Sequence, residues 1–127
     1  EIYADKVLAF ALRRGRIKNR DLWDLLWLKQ QGVKPALELI PAKLKDHQCE
    51  PGVFLDKAEG RAASLTQDKQ TKKDFRAEMQ RFLPTKLVAG TVADDRFWDY
   101  LVHEIPQLVR DVKHSVTQTP RPPSFAM

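Results

Sequence analysis

The sequence predicts an all-α fold, a bundle of five to seven helices led by an antiparallel helical hairpin. Three observations carry this expectation. Apolar residues recur at helical spacing along most of the chain. Glycine and proline are the main punctuation between those stretches. No segment shows the sustained apolar–polar alternation of a half-buried strand. At 127 residues, 43% apolar and 31% charged, the chain is long enough for one core and too apolar to remain unfolded.

The first helix is expected over 2–14, with Ile2, Val7, Phe10 and Ala11 on one stripe and Leu8 and Leu12 widening it. Gly15 supplies its left-handed stop, and a basic last turn suits the negative end of the helix dipole. The second helix, 20–31, pairs Leu22, Leu25 and Leu26 with Trp23 and Trp27 and closes at Gly32. The connection 15–19 is short enough to make these two an antiparallel hairpin.

A third stretch, 36–47, contains Pro41, which must kink it or split it. After the break "QCEPG", residues 53–65 give a fourth helix with Val53, Leu55, Ala58, Ala62 and Leu65 in its core, weakened by Gly60. A fifth, 71–83, carries Phe75, Met79, Phe82 and Leu83. "TKLVAGTV" is open between a short helix and a strand, because periodicity does not separate the two over so few residues. The last helix, 93–115, offers Phe97, Trp98, Leu101, Ile105, Leu108 and Val112, with a bend expected at Pro106. The domain is therefore 1–116, followed by a Pro-rich tail, 117–127.

Several classes of protein are excluded by composition. No run approaches the ~18 consecutive apolar residues of a membrane span. The first residues lack a signal-peptide pattern. A single cysteine and three scattered histidines make neither an internal disulfide nor a zinc site, and a reducing, cytoplasmic setting follows as the expectation. The net charge of +5 and pI near 9.5 permit a polyanionic partner without requiring one. The glycines never cluster into a phosphate-cradling loop, and the serines lack a nucleophile elbow.

The chemistry concentrates at "RRGRIKNRDLWDLLWLKQQG", residues 13–32. Arg13, Arg14, Arg16, Lys18 and Arg20 crowd eight positions, and Asp21 and Asp24 follow. Lys6 and Arg13 lie two helical turns apart on one face, and Asp21 and Asp24 share a face of the next helix. Folding at Gly15 can bring Lys6, Arg13, Arg20 and both aspartates to one edge. Such an edge suits a nucleotide, with cations on phosphate oxygens and carboxylates to hold a metal ion or accept a proton. Spacing alone favours a purely structural arrangement: Asp21 beside a positive helix terminus, Asp24 paired with Arg20 at i,i+4. Lys69, Lys72, Lys73 and Arg76 read as a solvated face or an RNA contact. His47 with Cys49 and Glu50, and His103 with Glu104, read as incidental clusters.

"ADKVLAF", residues 4–10, followed by Arg13 and by "RDLWDL", residues 20–25, resembles the carboxy-terminal helical region of AbiEii/AbiGii-type nucleotidyltransferase toxins of type IV toxin–antitoxin and abortive-infection systems. The resemblance is closest over 1–31 and loosens through about residue 83. It implies a bacterial enzyme that moves a nucleoside monophosphate from an NTP to an RNA end, tRNA first among the acceptors, with Mg²⁺ as cofactor and a cognate antitoxin. It assigns catalysis to Asp21 and Asp24 and nucleotide phosphates to Lys6, Arg13 and Arg20, with either Arg13 or Arg14 as the family's arginine; the positive charge of Arg14, Arg16 and Lys18 adds nucleic-acid contact to that expectation. Those proteins also carry an amino-terminal glycine-containing motif and an Asp-x-Asp pair, and this sequence has neither. Glu1 opens inside a helical stretch without an initiator Met, so the sequence reads as one lobe of a longer parent, inactive alone. The alternative is a stand-alone helical interaction module, although residues 22–28 are too apolar for a DNA-recognition helix. Self-association through the Trp23/Trp27 face or the tail "PRPPSFAM" is also expected.

Overall fold

The computed structural model describes residues 1–117; the tail and any docking by it lie outside the described residues. Among those residues seven α-helices and one 3₁₀ turn are present and no strand. They are α1 (Ile2–Leu12), α2 (Asn19–Gln30), the 3₁₀ turn Leu37–Leu39, α3 (Ile40–Asp46), α4 (Pro51–Ser64), α5 (Lys69–Phe82), α6 (Thr85–Gly90) and α7 (Asp95–Thr117). The helix α1 packs against both α2 and α4. The long α7 lies across α4 and α2, and α5 joins α2 from the other side.

The punctuation acts largely as its chemistry requires. Gly15 and Gly32 adopt φ of +79° and +74°, the left-handed region in which a Cβ is strained. Pro41 splits the third stretch, ending the 3₁₀ turn and sitting in the first turn of α3, where its missing N–H costs nothing. Pro51 does the same for α4, which therefore starts two residues earlier than the apolar spacing suggests. "TKLVAGTV" resolves as the short helix α6 followed by a turn. The helix α7 runs on through Pro106.

One core runs through the molecule, with Leu22, Phe54, Ile40, Phe75, Leu101 and Ile105 fully enclosed. Three positions expected in it are corrected: Ile2, Val53 and Phe82 stand in solvent. Trp27, on the face expected to be open, is 44% exposed. Each lies at or beside a helix end, or on a flank where no neighbouring element arrives. In α4 the register turns on adjacent apolar residues: Phe54, not Val53, faces the core. Phe97 and Leu108 are half-buried, and Val109 takes the core position beside Leu108. The first helix also stops at Leu12, so its last turn carries no cation; Arg13 is already extended.

Asp94 starts α7, accepting a hydrogen bond from the Arg96 N–H at 2.9 Å and gripping the Arg96 guanidinium at 2.7 Å. Those contacts hold its carboxyl down to about 2 from the ordinary 3.8. The folded state thus binds this proton less readily than the unfolded chain. Asp94's contribution is complete above about pH 4 and lost as pH falls through about 2. An NMR titration of the Asp94 carboxyl should show that midpoint, and Asp94→Asn should flatten the acid limb of the stability profile between these values. The register of α4 has its own check. Phe54→Ala should cost about 3–5 kcal/mol in urea unfolding, whereas Val53→Ala should stay within about 0.5 kcal/mol.

Candidate phosphate-binding edge and basic concavity

The hairpin carries two ion pairs across its seam. Arg13 grips Asp21 with a fork, Nε to Oδ2 at 2.7 Å and Nη2 to Oδ1 at 3.0 Å. Lys6 Nζ meets Asp24 Oδ2 at 2.8 Å. The pairs differ in environment. The Asp21 side chain is 3% exposed, while Arg13 outside it is 37% exposed. The Lys6–Asp24 pair is open on both sides. Hydrogen bonding to the Asp21 carboxylate, followed by its charge, pushes the Arg13 guanidinium above its ordinary value. The Arg20–Asp24 pair allowed by i,i+4 spacing does not form; Asp24 reaches across the hairpin to Lys6 instead. Lys6, Arg13, Asp21 and Asp24 therefore gather on one edge, and Arg20 does not join their pairs.

Arg20 instead lines a concavity of about 1180 Å³ at the turn, together with Arg14, Arg16 and Lys18. These four cations are exposed and make no ion pair among the described residues. Arg61 of α4 and Arg81 of α5 extend the basic lining, and Asp68, Asp74 and Glu78 line it from the α5 side. The two walls are joined where Asn19 Nδ2 donates to Glu78 Oε2 at 2.8 Å. Of the other basic residues on α5, Lys69, Lys72, Lys73 and Arg76 do not line the concavity. Arg76 and Lys72 pair with Asp95 at 2.6 and 3.6 Å.

Arg61 is the residue the sequence reading missed. Its Nη1 donates to Phe10 O at 2.6 Å, and its Nη2 donates to Gly15 O at 2.9 Å and also to Arg13 O. A signal was present: Arg61 follows Phe54 by seven and Ala58 by three and precedes Leu65 by four, so a cation sits on the buried stripe of α4. Its partners, 46 to 51 residues away, leave no local trace.

The carboxylates of the hairpin do not fit a divalent metal ion. Both oxygens of Asp21 are taken by Arg13, and Lys6 holds Asp24. No group of three or more His, Cys, Asp or Glu side chains among the described residues is placed to bind one. His103 leans on Glu104, which Lys29 already holds, and Cys49 packs against the core and hydrogen-bonds to the neighbouring Glu50 carbonyl. Trp23 is enclosed by Trp27 and Phe97, so the broad aromatic face expected on α2 reduces to one half-open indole.

A family model described as the nucleotidyl transferase AbiEii toxin of type IV toxin–antitoxin systems matches residues 1–119. The chain belongs to the AbiEii family. The match extends far beyond the hairpin, so α3 to α7 are part of what the AbiEii model describes. Membership in this toxin family implies an antitoxin partner. No helix among the described residues is long and apolar enough to cross a membrane. No curated protein and no solved structure matches the chain significantly.

The unequal burial of the two AbiEii hairpin pairs sets unequal costs. Arg13→Ala leaves an enclosed carboxylate without its donors and should cost about 2–3 kcal/mol in urea unfolding. Lys6→Ala removes a pair open to water and should cost less than about 1 kcal/mol.

Proposed function

We propose that this chain is the helical lobe of a nucleotidyl transferase that moves a nucleoside monophosphate from an NTP to an RNA end, with tRNA the acceptor. The observation that carries the reading is the adjacency of two cross-hairpin ion pairs and a row of four unpaired cations on one turn. Arg13 spends Nε and Nη2 on Asp21 and keeps further N–H donors, so it can bind a phosphate oxygen without releasing its partner. Lys6 offers a point charge that a triphosphate can draw from Asp24. Asp24, freed by that exchange, is the carboxylate that faces substrate, while Asp21 orients Arg13. Arg20, Arg14, Arg16 and Lys18 neutralise the acceptor's phosphodiesters, an interaction indifferent to base sequence.

The Mg²⁺ such an enzyme uses is, on this reading, held by carboxylates from outside these 127 residues, because Asp21 stays on Arg13 and Asp24, once freed, is a single carboxylate with no further candidate ligands grouped beside it among the described residues. The 127-residue chain alone should therefore transfer nothing.

Each of the four α-labelled NTPs, incubated with total tRNA and the product of the complete reading frame, tests this directly. Label should enter tRNA with at least one nucleotide, and Lys6→Ala or Asp24→Asn should reduce it by at least about tenfold. No incorporation with any of the four overturns the reading, as does full transfer by residues 1–127 alone. Replacing Arg14, Arg16 and Lys18 together by Ala should weaken tRNA binding and reduce the slope of log K against log salt by about 2.

A further inference from the structure

We propose that Arg61 is a positioning residue for the phosphate-binding edge, fastening the backbone from which Arg13 and the basic turn project. The inference rests on the reading of that turn as an RNA-facing surface. An α-helix ends with four carbonyls lacking intrahelical donors. In α1, Ala9 O is taken by the Arg13 N–H. Phe10 O is answered by Arg61 Nη1, and the carbonyls of Arg13 and Gly15, beyond the helix end, by Arg61 Nη2. One planar group from α4 thereby ties down three carbonyls spread over six residues of the turn. Its charge also sits at the negative end of the α1 dipole.

The consequence reaches the site through Arg13. Its carbonyl is held by Arg61 and its side chain by Asp21, so the direction of the guanidinium is fixed at both ends. The Gly15 contact fixes the point at which Arg14 and Arg16 leave the turn. A cation array held in place before binding loses less conformational entropy when phosphates arrive. Arg61 thus acts through its neighbours, while its Nη groups remain on backbone carbonyls. Lysine cannot reproduce this, because its donors radiate from one nitrogen and cannot span the same carbonyls as a fork.

The test uses the 127-residue protein and Arg61→Ala, Arg61→Lys and, as a surface control, Arg110→Ala. Two quantities are read well below each melting temperature: affinity for total tRNA across a salt series, and the Arg13 Nε–H resonance, which the Asp21 contact shields from exchange. Arg61→Ala should weaken binding about tenfold with the salt slope unchanged, because every phosphate-neutralising cation remains. Its Arg13 resonance should broaden or exchange rapidly. Arg61→Lys should fall between, and Arg110→Ala should match the parent. If Arg61→Ala does not fold, the same loss of the Arg13 resonance in folded Arg61→Lys carries the test. A salt slope reduced by about 1 with the Arg13 resonance intact would make Arg61 a direct phosphate contact and overturn the positioning role. Unchanged affinity and resonance in folded variants overturn it too. A parent chain that does not bind tRNA, yet loses the Arg13 resonance in Arg61→Ala, defeats the RNA-facing reading and leaves the mooring itself standing.

Discussion

Five cations in eight residues repel one another, and the hairpin turn can be no more ordered than whatever opposes that repulsion. Two interactions oppose it here. Asp21 neutralises Arg13 from the protected side of the seam, and Arg61 gathers the turn's carbonyls. The second is less obvious, since it brings a further positive charge into a positive region. It succeeds because the carbonyl oxygens carry the negative ends of peptide dipoles and face the guanidinium at hydrogen-bond distance, while the side chains of Arg14 and Arg16 stand exposed in solvent. The charge that would worsen the repulsion is thus spent on backbone, and the turn's own cations remain available.

The hairpin is anchored differently on its other sides. Lys43 of α3 reaches Asp5 of α1 at 2.7 Å, and between the two helices on which the hairpin packs, Lys113 of α7 reaches Glu59 of α4 at 3.0 Å. These exposed pairs contribute little individually. The positional work belongs to the apolar seams, where Leu22, Phe54 and Ile105 are sealed, and to the aromatic run from Trp23 through Phe97 to Phe75 and Trp98 that ties α2 to α5 and α7. Rigid seams beneath an exposed charged edge are what a binding site needs, because the edge can exchange partners without the core repacking.

How much of this was legible in the sequence follows from the range of each interaction. Helix type and most boundaries depend on neighbours three or four residues away, so Gly32 and Pro41 announce the boundaries they make, while Gly15 marks the turn and falls three residues past the end of α1. The hairpin's faces were equally local, which is why Lys6, Arg13, Asp21 and Asp24 could be placed on one edge. Their pairing was not: Arg20 is the near neighbour of Asp24 by spacing, yet Lys6 takes that carboxylate. Val53 and Phe54 show the same limit in the core, since two adjacent apolar residues fit the helical period almost equally and only packing from other elements chooses between them. Arg61 lies at the far end of this scale, with partners at the end of α1 and in the turn beyond it and only a cation out of place on the α4 stripe to mark it. The family resemblance was close only over the hairpin and assigned no role to any residue of α4.

The concavity at the turn is electrically lopsided, and that follows from which elements build it. Its cationic wall is the loop and first turn of α2, where Arg14, Arg16, Lys18 and Arg20 are close in sequence and Arg61 joins them in the lining. Its α5 side is acidic on balance, with Asp68, Asp74 and Glu78 against the single cation Arg81, and Gln70 and Thr71 near the start of the helix. Asn19 bridges the walls to Glu78, so their separation is set by a hydrogen bond rather than by an open gap. A polyanion entering this space is drawn to one wall and repelled by the other, and the effective interaction between exposed charges decays within about 8 Å at physiological salt. Its charged chain is therefore pressed against the hairpin turn, while the Arg13–Asp21 and Lys6–Asp24 pairs lie outside this lining on the seam of the same hairpin. The uncharged groups of the same ligand are the ones that can approach α5 without electrostatic cost, where amide and hydroxyl side chains await them. A basic turn facing a second basic wall would hold an anion more tightly and orient it less.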